Sequence, residues 1–146
     1  MMTLDISAPI HATCVAITGR GVLLVGPSGA GKSDLALRLI DRGGVLVGDD
    51  RVMVRLSDEK IWAEPGPHLQ GLLEVRGLGI VKQPFLARCP VDLAVILTGR
   101  DEVPRLPERQ AIRLGDASLC ALWLHAFDIS TPIKIEFALG HAPIDR

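Results

Sequence analysis

The chain has no tyrosine, three phenylalanines and two tryptophans among 146 residues. An aromatic content of 3% excludes the stacking platforms on which single-stranded nucleic-acid binders lay bases, and it leaves the core to aliphatic side chains. No sign of charge dominates: 16 basic and 17 acidic residues give a net charge of −1, so no nucleic-acid partner is expected. No run approaches the ~18 apolar residues of a membrane span, so no membrane partner is expected either. Met1–Ile10 carries Asp5 and Pro9 and has neither a basic start nor a long apolar stretch, unlike a signal peptide. The three cysteines, Cys14, Cys89 and Cys120, have no short spacing. An odd, sparse set excludes a disulfide framework and suits reduced thiols in a cytoplasmic protein.

What is present is ordinary for a globular domain: 48% hydrophobic and 23% charged residues, in a length that suits one domain. Residues 11–18 read as a strand, Gly19-Arg20-Gly21 as a turn and residues 22–25 as a short buried strand, together an antiparallel hairpin. Ser33 to Arg42 has helical spacing, with Leu35, Ala36, Leu39 and Ile40 on one face, and Gly43-Gly44 stops it. Val45–Val47 is a further buried strand. Residues 52–56 and 60–63 flank Ser57-Asp58-Glu59 as a second hairpin. The stretch after Pro65-Gly66-Pro67, with Gly71, Gly77 and Gly79, reads as irregular. Leu93–Thr98 reads as a buried strand, 99–110 as a loop, and the pieces near 119–124 and 133–139 as strands. The expectation is an α/β fold whose mixed sheet is rich in hairpins and has few helices.

Gly26-Pro27-Ser28-Gly29-Ala30-Gly31-Lys32-Ser33 fits the phosphate-loop pattern G-x-x-x-x-G-K-[ST] in full, between an apolar strand and an amphipathic helix. Glycines let backbone N–H groups converge on phosphate oxygens, and the helix start adds unsatisfied N–H groups and the positive end of its dipole. Lys32 can reach the β- and γ-phosphates of a nucleotide and Ser33 can ligate Mg²⁺. The bland alternative is a glycine-rich turn that caps a helix and binds nothing. Asp49-Asp50 ends the very next strand, where catalytic groups gather beside a phosphate loop. Two adjacent carboxylates can divide metal binding and general base work between them; alone, Gly48-Asp49-Asp50-Arg51 would read as a polar turn.

Three ordered blocks resemble the catalytic domain of HPr kinase/phosphorylase. They are His11 with Gly21-Val22-Leu23-Leu24 running into Gly26–Ser33, then Arg42-Gly43 to Leu46-Val47-Gly48-Asp49-Asp50-Arg51-Val52, then Leu73-Glu74-Val75-Arg76-Gly77-Leu78-Gly79-Ile80. The resemblance implies a P-loop kinase-like domain over 1–146, without the family's N-terminal domain. It implies an ATP-dependent serine protein kinase that uses Mg²⁺ and phosphorylates an HPr-like phosphocarrier of a phosphotransferase system, with a homo-oligomer possible. By position, Lys32 and Ser33 match the phosphate and Mg²⁺ contacts, and Asp49 matches the general base that takes the serine proton. Asp50 matches its carboxylate neighbour, and a metal ligand together with Ser33 and Glu74. His11 matches an active-site histidine, and Arg105 a catalytic arginine, with Arg113 as its competitor. Pro27 stands where the family usually has an acidic residue. The late basic segment tied to dephosphorylation is reduced to Thr131-Pro132-Ile133-Lys134-Ile135-Glu136, so the reverse reaction is expected to be weak, and a hexamer like the family's is not expected. The competing readings are a small-molecule P-loop kinase, which would be helix-rich, and a module that senses ATP without transferring phosphate.

Overall fold

In the computed structural model, which describes residues 1–140, strand alternation sorts the aliphatic residues onto the two faces of one sheet. After β1 (Thr3–Leu4), β2 (Ala12–Ile17) and β3 (Arg20–Val25) form the expected hairpin. Successive side chains of a strand point to opposite faces. Val22 and Leu24 therefore enter one buried cluster and Leu23 the other.

Helix α1 (Lys32–Asp41) follows β3 and lays Leu35, Ala36 and Leu39 on the first face. The chain returns in β4 (Val45–Gly48), antiparallel to β2 and so parallel to β3. The hairpin of β5 (Val52–Ser57) and β6 (Lys60–Pro65) appears where the alternation placed it. It covers the second face with Val52, Val54, Ile61 and Ala63. β9 (Cys89–Leu97) lies beside β3, and beyond it come β11 (Ala117–Leu124), β10 (Gln110–Leu114) and β1. β9 runs parallel to both β3 and β11.

Two stretches differ from the sequence reading. Residues 72–82 form a separate two-stranded hairpin, β7 (Leu72–Val75) and β8 (Gly79–Lys82), in place of an irregular segment. The glycines that read as loop punctuation make its turn, where the Leu78 N–H donates to the Val75 carbonyl at 2.9 Å. The second difference is α2 (Thr131–Gly140), a helix where 133–139 read as a strand. The alternation of Ile133, Ile135 and Phe137 mimics period two, yet only Ile135 of the three is buried, with Ala138 and Leu139 packed on the same cluster at helical spacing. Pro132 sits in the first turn, where its missing N–H costs nothing. Arg42 at the end of α1 makes a bidentate pair with Glu136 and fixes α2 against it. Among the described residues the two α-helices have ten residues each, unlike the helix-rich architecture expected of a small-molecule kinase. No described helix is long and apolar enough to cross a membrane.

Candidate active site

Residues 26–31 join the C-terminal end of β3 to the first turn of α1. Gly31 adopts φ 98°, a left-handed conformation that only glycine takes without strain. A Cβ there would lie 2.8 Å from both Ala126 Cβ and Phe127 Cζ, so this glycine is also required by space. No side chain caps the helix, and its first N–H groups have no intrahelical acceptor. They line a cradle that suits a phosphate.

Lys32 is buried, and its Nζ donates to the Gly26 carbonyl at 2.7 Å and the Pro27 carbonyl at 3.0 Å. Burial holds its pKa below the usual lysine value, while Asp50 and then Asp49 pull it upward.

The two adjacent aspartates have opposite environments. Asp49 is buried. Its Oδ1 accepts from Thr13 Oγ1 and Ser33 Oγ, each at 2.8 Å, and its Oδ2 accepts from the Glu74 N–H at 3.0 Å. One carboxylate thus fastens β2, α1 and β7 to the end of β4. Asp50 is exposed, adopts φ 67°, and pairs through Oδ1 with His11 Nε2 at 2.8 Å. Left-handed backbone at a non-glycine residue is uncommon and gathers at functional sites; here it lets the second carboxylate face the opening while the first faces inward.

A cleft of ≈290 Å³ connects these groups. It brings together His11, Ser28, Gly29, Gly31, Lys32, Ser33, Asp50 and Glu74. Gly26, Pro27 and Ala30 complete the loop, and Asp49 lies behind the cleft wall. Arg105 is not brought there: it is exposed in the 103–109 loop, and Arg113 is exposed on β10. The arginine that lines the cleft is Arg76, beside Glu74 and Val75. Sequence reasoning missed Thr13, whose signal was a lone hydroxyl in an apolar strand, and Phe127, for which the sequence held no local signal.

Among the described residues no three His, Cys, Asp or Glu side chains cluster as a metal cage. The oxygen donors of Ser33 and Glu74 suit Mg²⁺ in its usual nucleotide-bound form, where one or two protein carboxylates join phosphate oxygens and water; the Asp50 carboxylate, also expected in that set, is taken by His11. The cradle at Gly29–Ser33 suits the phosphates.

Residues 3–86 match the family model described as the HPr Serine kinase C-terminal domain. The chain belongs to this family. The match spans every cleft residue from His11 to Arg76 and excludes Arg105 and Phe127. Among curated relatives, the HPr kinase/phosphorylase of Streptococcus thermophilus is 52% identical over 73 residues, 49% of this chain and 24% of the relative. That of Streptococcus salivarius is 51% identical over a stretch of the same length and coverage. The matched stretch is thus about a quarter of those relatives' length. The solved structure of the Hpr(Ser) kinase/phosphatase from Coxiella burnetii superposes with a TM-score of 0.79 at 24% identity, covering 90% of this chain and 88% of that one. The likeness establishes the fold of this HPr serine kinase C-terminal domain, P-loop kinase-like with a mixed sheet and few helices.

Proposed function

We propose that the chain is an ATP- and Mg²⁺-dependent serine protein kinase that phosphorylates an HPr-like phosphocarrier in the cytoplasm. The observation that carries this reading is the His11–Asp50 pair, held at 2.8 Å on the rim of the same cleft as the phosphate loop. A serine hydroxyl is a weak nucleophile and needs a positioned acceptor for its proton. The exposed carboxylate of Asp50 can meet an incoming serine, and His11 orients it. Asp49 was the expected acceptor from family position, but its oxygens already take three hydrogen bonds, and it does not line the cleft. Its work is to hold the Ser33 hydroxyl and the Glu74 backbone in place.

Lys32 serves the transferring phosphoryl group by leaving the Gly26 and Pro27 carbonyls for phosphate oxygens, and Arg76 adds a second positive charge from β7. Bound Mg²⁺ would neutralise charge on the β- and γ-phosphate oxygens. The reverse reaction is weak in this reading, because Thr131–Glu136 belongs to α2, packed against α1 and away from the cleft.

The test is single-turnover transfer from γ-labelled ATP to a purified HPr-like carrier. The wild-type chain labels a serine and Lys32→Ala does not. Equal labelling by both would sink the assignment. With the phosphoserine carrier and inorganic phosphate supplied instead, pyrophosphate release should fall well below the forward rate; equality would show that the tail is no handicap.

A further inference from the structure

We propose that Phe127 is the platform on which the base of the bound nucleotide stacks, a role that rests on nucleotide binding at the phosphate loop. Phe85, Phe127 and Phe137 are all exposed, but of the three only Phe127, 54% exposed, lines the cleft wall, beside Gly29 and Gly31. The ring borders the cradle directly, since a Cβ on Gly31 would lie 2.8 Å from its Cζ.

The geometry of α1 assigns the two sides of the cleft to different tasks. Ser33 points to Asp49, and Arg38 points to the segment that carries Phe127: its guanidinium donates to the Ala126 and Asp128 carbonyls and is steadied by Asp34 at 3.0 Å. Five residues at ~100° each place Ser33 and Arg38 about 140° apart around the helix. His11, Asp50, Glu74 and Arg76 therefore gather on the acceptor side, and Phe127 stands on the other. A nucleotide anchored by its phosphates between them has its γ-phosphoryl end toward Asp50 and its nucleoside end toward Phe127.

The segment is held as a binding platform must be. Asp128 accepts from Arg100 Nε at 2.7 Å, His125 Nδ1 bonds the Thr98 carbonyl at 3.0 Å, and Thr131 Oγ1 donates to the His125 carbonyl at 2.5 Å. His125 meets the Phe127 ring edge-on, with centroids 5.9 Å apart, which orients the ring without covering it. An exposed aromatic fixed by its neighbours loses little entropy when a flat ring lies on it. Every base has a π-face, so this contact alone favours nucleotides over inorganic polyphosphates without choosing strongly among bases.

The test compares ADP with inorganic tripolyphosphate, which offers the phosphates and no base, by calorimetric titration in Mg²⁺. Phe127→Ala should weaken ADP by about 5- to 150-fold, the range of one lost stacking partner, and leave tripolyphosphate unchanged. Phe127→Leu, which keeps apolar bulk against Gly31, should weaken ADP in the same way. Phe127→Trp should keep ADP affinity, and ADP but not tripolyphosphate should quench its added indole fluorescence. ADP affinity within about twofold of wild type in Phe127→Ala or Phe127→Leu, below the ~5-fold floor for a lost stack, overturns the assignment. So does equal weakening of ADP and tripolyphosphate, which would mean a distorted cradle. A wild-type chain that binds neither ligand overturns the phosphate-loop reading itself.

Discussion

Exchanging each aspartate in turn for asparagine separates two roles that adjacent carboxylates otherwise conceal. In Asp49→Asn the three donors of Thr13, Ser33 and Glu74 remain, but the acceptor loses its charge and one of its two oxygens. Whichever way the amide turns, at least one donor faces an N–H₂ group: the Glu74 N–H in one orientation, the Thr13 and Ser33 hydroxyls in the other. A buried donor left without an acceptor costs ~1–3 kcal/mol, and each remaining bond falls from the charge-assisted to the neutral range, roughly another 1 kcal/mol. Relief of the buried charge offsets part of this, leaving a loss of about 3 kcal/mol. For a chain of this size that lowers Tm by ~6–12 °C. The KM for Mg·ATP should also rise, because Ser33 is no longer held. Asp50→Asn removes an exposed pair with His11 and a charge that favours the protonated Lys32, leaves no buried donor unpaired, and should melt close to the wild-type temperature. Its kcat should fall by ~10²–10⁴, the usual cost of losing a general base. Thermal melts by circular dichroism and carrier phosphorylation under saturating ATP measure both. If Asp49→Asn melted like wild type and lost more kcat than Asp50→Asn, the assignment of Asp50 as proton acceptor would be wrong.

Two further outcomes follow from the same geometry. Burial lowers the Lys32 pKa below its usual 10.5, so between the lowered value and 10.5 the unfolded chain holds more protons than the native one, and stability from this group rises with pH there. Lys32→Met should therefore gain stability over wild type near pH 8 and lose that advantage toward pH 10.5 in urea titrations; a gap that widened with pH would contradict this. Arg76→Gln should reduce kcat by ~10-fold or more as a transition-state charge contact, while Arg105→Gln leaves it near wild type; the reverse order in the carrier assay would restore Arg105 to the site.

The parts of the site that depend on local chain chemistry were legible in the sequence. Gly26–Ser33 announces itself because a phosphate cradle needs glycines and a lysine at fixed spacing, and the flanking strand and helix follow from their periodicity. Asp49 and Asp50 were legible as a pair but not as individuals, since the roles depend on which carboxylate turns inward, and that is set by the left-handed backbone at Asp50. Helix α2 was hidden by an accidental alternation at 133–137, which packing on α1 overrides. Phe127 reaches the phosphate loop only because β11 pairs with β9, a contact that no local pattern encodes. Arg105 rested on family position alone, and the 103–109 loop carries it to the surface.

The placement of β9 bears on how the molecule assembles. Val95 and Ile96 pair with Leu24 and Val25 on one side, and with Leu122 and Trp123 on the other. The phosphate loop and the Phe127 segment thus spring from strands that share a single neighbour, though about a hundred residues separate them along the chain. Such distant pairings form slowly, because a long loop must close before the contacts reward it. The stretch matched by the family model ends at residue 86, before β9 begins. A fragment ending there would leave β3 with an open edge of unpaired N–H and C=O groups, a template for aggregation rather than a support for nucleotide. The stretch that the family model matches thus lacks both the strand that flanks its phosphate loop and the Ala126–Phe127 pair that packs on Gly31.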